Sequence, residues 1–392
     1  MNFKPLLIGA ILITAIPAFA QTEKQESDTT GYSAIIPVSK QSLLRDIDVI
    51  MNMQYGFRNE FVDGDYTGSR FRMDQMRFEI KGKVSDKLYF RFRNRYTSEP
   101  IPQSEDHISR AVDLAMVRYD FSPKWSLSAG KLCADFGGFE FDLNPIDIYE
   151  YADILEQADN FLAGAGLSFR PNPNHEFNFQ VLNSRTKSFN ELYGNPPGIE
   201  EAKNTLAYVA NWRGTLFGGK IKTIWSYSIF NEAKDTRLGY VALGTQYVGK
   251  KFQIAYDFQY SDEDLDRTGI VSNTIPDSLY AYAVEKTKYT SHWIKADYRL
   301  NRRINFSLVT YVDFGNWTDN IDPLKNDNEV RTAYGFIPTI EVYPFDKVNF
   351  RFFANYVGRK YEYSDYSKSR LGAKDFSTGR FVIGFVTPLL IL

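Results

Sequence analysis

The feature that most constrains this chain is a strict two-residue alternation of apolar and polar side chains, which begins abruptly at Ile47 and recurs segment after segment. Ile47, Val49, Met51, Met53, Tyr55 and Phe57 alternate with Asp48, Asn52, Gln54 and Arg58. Successive side chains of an extended strand point to opposite faces, so such a segment has one greasy side and one hydrated side. Leu88, Phe90, Phe92 and Tyr96 likewise oppose Arg91, Arg93 and Arg95. Phe252, Ile254, Tyr256, Phe258 and Tyr260 oppose Lys251, Gln253, Asp257 and Gln259, and Val348, Phe350, Phe352 and Tyr356 oppose Asn349, Arg351, Asn355 and Arg359. The pattern predicts about sixteen strands: 47–58, 70–83, 87–97, 110–121, 125–135, 161–170, 175–186, 203–214, 219–230, 238–249, 251–261, 289–300, 303–314, 330–343, 347–360 and 376–386.

Alternation alone suits a soluble sandwich as well as a membrane barrel, so the connections decide. After even-numbered strands they are short and carry turn residues, as in Ser85-Asp86-Lys87, Ser122-Pro123-Lys124, Gly249-Lys250 and Asn301-Arg302. After odd-numbered strands most are long: 136–160, 187–202, 262–288 and 315–329. Tight turns at one end and long loops at the other are the habit of outer-membrane barrels. A sandwich has no physical reason to segregate its loops so consistently. The fold class expected is therefore all-β: a transmembrane, antiparallel, up-and-down β-barrel of about sixteen strands, its apolar faces toward lipid, its polar faces lining a water-filled lumen.

The N-terminus agrees with export. Lys4, an apolar run from Leu6 to Ile16 and the small-residue site Ala18-Phe19-Ala20 match a secretory signal peptide, taken as residues 1–20. Residues 21–46 are polar and aperiodic and read as a flexible periplasmic leader, leaving 47–392 for the barrel. Past the signal no run of apolar residues is long enough for a spanning helix, so any crossing must use strands. Aromatic content of 16%, with 26 Tyr and 31 Phe, suits ring girdles at two lipid interfaces. A net charge of −2 carries no nucleic-acid footprint. Cys133 has no disulfide partner, and His107, His175 and His292 lack metal-ligand spacing, so no metal or cofactor is expected.

With apolar faces outward, Arg91, Arg93, Arg95, Lys220, Lys222, Arg351 and Arg359 fall on the lumen side. Arg91, Arg93 and Arg95 stand about 7 Å apart along one strand face, and Arg77 and Lys81, with Glu79 between them, join from the preceding strand. Such a row reads either as a cationic ladder able to pass an anion from site to site or as a solvated wall that sets a mild field and selects nothing, since Asp48, Asp257, Asp297 and Glu341 fall on lumen faces of other strands. The third loop, 136–160, is long, aromatic and acidic, with Asp142, Asp147, Glu150, Asp153, Glu156 and Asp159. It is expected to fold inward as a constriction, with Phe and Tyr packed on the wall and carboxylates facing the ladder arginines, creating a transverse field; the alternative is a surface-exposed lid.

Here the chain resembles the phosphate-selective porin O/P family of Bacteroidetes-type outer membranes. The resemblance runs over most of residues 47–392 and is carried by RFRMDQMRFEIKGKVSDKLYFRFRNRYT, by FSPKWSLSAGKLCADFGGFE with Gly130, Lys131, Phe136, Gly137 and Glu140, and by the closing TGRFVIGF. It implies a sixteen-stranded barrel, a homotrimer of separate pores, an inward third loop and basic lumen residues favouring anions; Arg77, Arg91, Arg93, Arg95 and Lys131 are the matching positions here. Two features depart from that pattern: the acidity of the third loop, and Pro388, expected to interrupt the final strand before Leu392.

The function expected is an outer-membrane porin giving passive diffusion of small hydrophilic solutes, with some preference for anions such as phosphate. The alternatives are a sugar or general non-selective channel using Tyr89, Tyr311 or Tyr343 as stacking surfaces, and, less favoured, a barrel enzyme built around one of the three histidines. Its partners would be outer-membrane lipid, the solutes themselves and two further copies of the chain.

Overall fold

The computed structural model describes residues 47–319, 325 and 327–392; the expected signal peptide and leader lie outside the described residues. Sixteen antiparallel strands close on themselves. They are β1 Ile47–Val62, β2 Asp65–Ser85, β3 Leu88–Arg95, β4 Val112–Asp120, β5 Trp125–Cys133, β6 Phe161–Asn172, β7 His175–Asn183 and β8 Leu206–Leu216 on one half. The other half holds β9 Ile221–Phe230, β10 Leu238–Val248, β11 Phe252–Leu265, β12 Glu285–Arg299, β13 Ile304–Trp317, β14 Glu329–Val342, β15 Arg351–Tyr363 and β16 Phe376–Leu390. Every strand hydrogen-bonds its sequence neighbour, and β1 pairs β16 from Ile50↔Leu390 to Val62↔Thr378. Closure leaves no unsatisfied edge for lipid to meet, the condition for strands to cross a bilayer.

The faces fall as the period requires. Phe71 is 70% exposed and Phe352 50%, and Phe92, Tyr256 and Phe381 share that outer side. Arg93, Asp257, Asn355 and Arg359 are buried on the inner side. Turning the barrel inside out would put those charges in hydrocarbon at roughly 2–4 kcal/mol for each midplane Arg or Lys. Near the closing seam Phe385 packs 5.6 Å from Tyr55 and 5.4 Å from Phe350, part of the aromatic outer surface.

Two local expectations change. No loop separates β1 from β2; both strands continue past Phe57 to a two-residue hairpin, Asp63-Gly64, with φ of 51° and 88°. That is the left-handed geometry a type I′ turn requires, and the alternation fades there because both faces beyond the apolar band meet water. Pro388 does not interrupt the last strand but pairs with Asn52 inside β16. Ile391 N–H points at β1, bonding Val49 O, so by alternation residue 388 would direct its N–H toward β15. The β15 ladder has already ended at Arg351↔Val386, and the missing donor costs nothing.

Candidate functional site

The register between β2 and β3 sets Arg95 opposite Arg77, Arg93 opposite Glu79 and Arg91 opposite Lys81, all on the inner face. Like charges directly across two strands are destabilising, and the chain resolves this with a residue that sequence reasoning passed over. Between β3 and β4 the pairing skips from Arg93↔Leu114 to Asn94↔Val112, leaving Asp113 on a bulge. Its buried carboxylate accepts from Arg77 Nε at 2.7 Å and Arg93 Nε at 3.2 Å and lies 3.4 Å from Arg95 Nε. Glu79 accepts from Arg91 Nε at 2.8 Å. The ladder thus has two kinds of rung. Arg77 and Arg93 are sunk into the wall, the Arg93 side chain only 7% exposed, whereas those of Arg91 and Arg95 keep 35% and 31% open to the lumen. Lys81 sits toward the chain-terminal mouth, 3.6 Å from Asp48.

The third loop enters through Gly137 and Gly138. A Cβ on Gly138 would lie 2.6 Å from the Asp257 carboxylate carbon, so the backbone approaches β11 as only glycine permits. Glu140 N–H then donates to Asp257 Oδ2 at 2.7 Å, while the Glu140 carboxylate accepts from Ala152 N–H at 2.7 Å and from Gln259 at 3.0 Å. Burial, aided by the nearby Asp257, pushes the Glu140 carboxyl well above the usual carboxylate range. Farther along, Gln54 of β1 donates to Ile146 O at 3.0 Å. Asp147 pairs with Arg351, Asp153 with Arg359 at 2.7 Å and with Arg331, and Glu150 with Arg380 at 2.7 Å. Ile146 packs on Phe353, Val382 and Val386, and Ala152 among Trp293, Tyr311 and Ile337. These contacts reach the inner faces of β1 and of β11 through β16.

The loop carboxylates therefore face a different set of arginines from the one expected. Asp147, Glu150 and Asp153 are paired with β14–β16, and Asp142 with Arg213 of β8 at 2.8 Å; none pairs with the ladder. Loop acids brought against a wall out of water must be paired there, or an uncompensated charge is buried. Arg351, expected as a free pore cation, is one of these anchors, also bound to Glu341 at 2.7 Å. Lys131 is buried against Gln103 and Asp106, the latter at 3.3 Å. Lys220 falls in the turn before β9, and Lys222 stands at the start of that strand. The proposed sugar-stacking rings are capped: Arg118 lies 4.7 Å from the Tyr89 centroid, Arg299 4.1 Å from Tyr343 and Arg359 4.8 Å from Tyr311.

What remains open is a cavity of about 1180 Å³ bounded by the loop and the inner faces of β1 to β8. Among the described residues its lining holds thirteen arginines and lysines against eight aspartates and glutamates. Glu156 is the acid there without an ion-pair partner among the described residues, and burial together with the neighbouring Glu150 holds its carboxyl above the ordinary range. Arg213, Arg331 and Arg380 carry much of this arrangement and were passed over in sequence; their inward parity on β8, β14 and β16 was the available signal. No cluster of three metal-ligating side chains occurs among the described residues.

The family model for phosphate-selective porin O and P matches residues 47–385. Among solved structures, the outer membrane channel DcaP of Acinetobacter baumannii is similar at 12% identity and TM-score 0.57, over 86% of this chain and 97% of that one. Salmonella typhi OmpF in complex with daunomycin is similar at 14% and 0.51, over 86% and 97%. The trimer form of Vibrio cholerae OmpT gives 9% and 0.50, over 86% and 98%. At such identities these likenesses speak for the fold alone. None of the curated proteins matches the sequence.

Proposed function

The chain belongs to the phosphate-selective porin O and P family and is an outer-membrane porin; from that premise we propose that its lumen passes small anions in preference to cations. The observation that carries this is the basic excess of the lumen lining, thirteen arginines and lysines against eight aspartates and glutamates, with the Arg91 and Arg95 side chains open to the lumen. A low-dielectric wall around a surface richer in cations than in anions concentrates anions and repels cations. Arg91 and Arg95 are the rungs a passing anion would meet, while Arg77, Arg93, Arg351 and Lys131 shape the wall; the third loop, pinned across the interior, narrows the passage. A sugar channel is less favoured, because an arginine stacks on each ring suited to sugar stacking. A barrel enzyme is disfavoured too, since His175 and His292 are engaged with Trp212 and Tyr256 of neighbouring strands. Export through a cleaved signal peptide of residues 1–20 and assembly as a homotrimer complete the reading, the latter supported by the trimer form of the OmpT structure.

The test is a reversal potential across planar bilayers in a tenfold KCl gradient. Chloride preference is expected, and Arg91→Gln with Arg95→Gln should move the potential toward zero. A wild-type channel selecting potassium would refute the proposal.

A further inference from the structure

The open lumen carries a second pattern that net charge does not explain. The inner faces of β1, β2 and β3 line the cavity with Gln54, Gln75, Arg77, Glu79 and the ladder, but β4 lines it with Val112 and Met116, and with the buried Leu114 between them, before it reaches Arg118. The register places Met116 directly beside Arg91 on one flank and opposite Gly130 on the other. Gly130 has no side chain and cannot gain one, since at φ 120° a Cβ would lie 2.2 Å from Ala115 O. Met116, partly buried against the apolar cluster that includes Leu132 and Leu162, thus gains no cover from position 130. The third loop adds two partly buried rings to the same apolar cluster and the same cavity, Phe141 and Tyr151. A lumen meant only for hydrated ions gains nothing from wetted apolar groups, each square ångström of which costs about 25 cal/mol left in water.

Building on the anion-channel reading, we propose that Arg91 and Arg95, together with Met116, Phe141 and Tyr151, form a binding site for aryl carboxylates. The carboxylate takes the open side of the Arg91 guanidinium, a geometry suited to paired hydrogen bonds. The flat ring covers Met116 and the loop rings, where thioether and aromatic contacts are favourable. Inorganic phosphate or acetate meets the cations equally well but leaves the apolar groups wet. The site therefore sorts anions by their body rather than by their charge.

The experiment is block of chloride current through the full-length protein in planar bilayers by benzoate, acetate and phosphate. Benzoate should half-block at a concentration about tenfold below the other two, a difference of about 1.4 kcal/mol. Met116→Gln and, independently, Tyr151→Ser should each shrink the acetate-to-benzoate ratio about fivefold, in line with the apolar area no longer covered. Equal block by all three anions overturns the proposal, as does a wild-type ratio in both variants. If the channel selects potassium in the KCl gradient, the anion reading fails first; if it selects chloride yet treats benzoate like acetate, this site alone is wrong.

Discussion

Replacing Asp113 with Asn tests whether the ladder is a charge-balanced part of the wall. Asp113 lies within 2.7 to 3.4 Å of three guanidinium nitrogens and is buried. Without its charge Arg77, Arg93 and Arg95 retain, among the described residues, only Glu79 as an ion-pair partner, which is 4.0 Å from Arg93 and already engaged by Arg91. At an effective dielectric near 20, two guanidiniums about 5 Å apart repel by roughly 3 kcal/mol. Breaking a buried pair by removing one partner costs about 3–5 kcal/mol, so the two figures agree in scale. At roughly 2 °C per kcal/mol for a chain of this size, Asp113→Asn should lower the unfolding midpoint by about 6–10 °C. The assay is the temperature at which the folded band of detergent-solubilised protein converts to the unfolded band on gels. Removing one surplus cation as well, Asp113→Asn with Arg93→Gln, should recover more than half of the loss. A single variant melting within about 1 °C of wild type, or a double variant less stable than the single one, would refute the reasoning.

Asp153→Ala should loosen the third loop, since it leaves the largely buried Arg331 and Arg359 without their loop carboxylate, Arg359 keeping only the Tyr151 carbonyl there; a weakening near 3 kcal/mol, discounted for Asp313 at 3.5 Å from Arg359, should appear as open-channel current noise and higher single-channel conductance. Glu156 should make selectivity pH-dependent. Its pKa is raised, so as pH falls from neutrality it loses its negative charge before ordinary carboxylates do; the lumen becomes more positive and chloride preference rises on acidification. In Glu156→Gln that rise should be smaller, with Asp135, also raised by burial in the same cavity, supplying the remainder; a wild-type profile in the variant would contradict the assignment.

All sixteen strands were legible in the sequence, most to within a few residues, and so was the side each turned to lipid, from Met51 and Phe57 in β1 to Phe352 and Tyr356 in β15. Arg91 and Arg95 were legible for the same reason. A bilayer imposes its demand on every crossing segment separately, so the signal is local and repeats every two residues. The Asp63-Gly64 hairpin escaped because that demand stops outside the apolar band, and Asp113 because a bulge breaks the parity that reveals the others.

Which charges remain free was decided only by tertiary structure. Asp153 and Arg359 stand 206 residues apart and Gln54 and Ile146 stand 92 apart, and no short-range pattern announces such pairs. Sequence alone determined the barrel, the faces and the cations of its wall. Folding the loop across the interior determined that its acids would neutralise β8 and the β14–β16 wall, not the ladder, because a carboxylate brought out of water binds the guanidinium the closed barrel sets within reach.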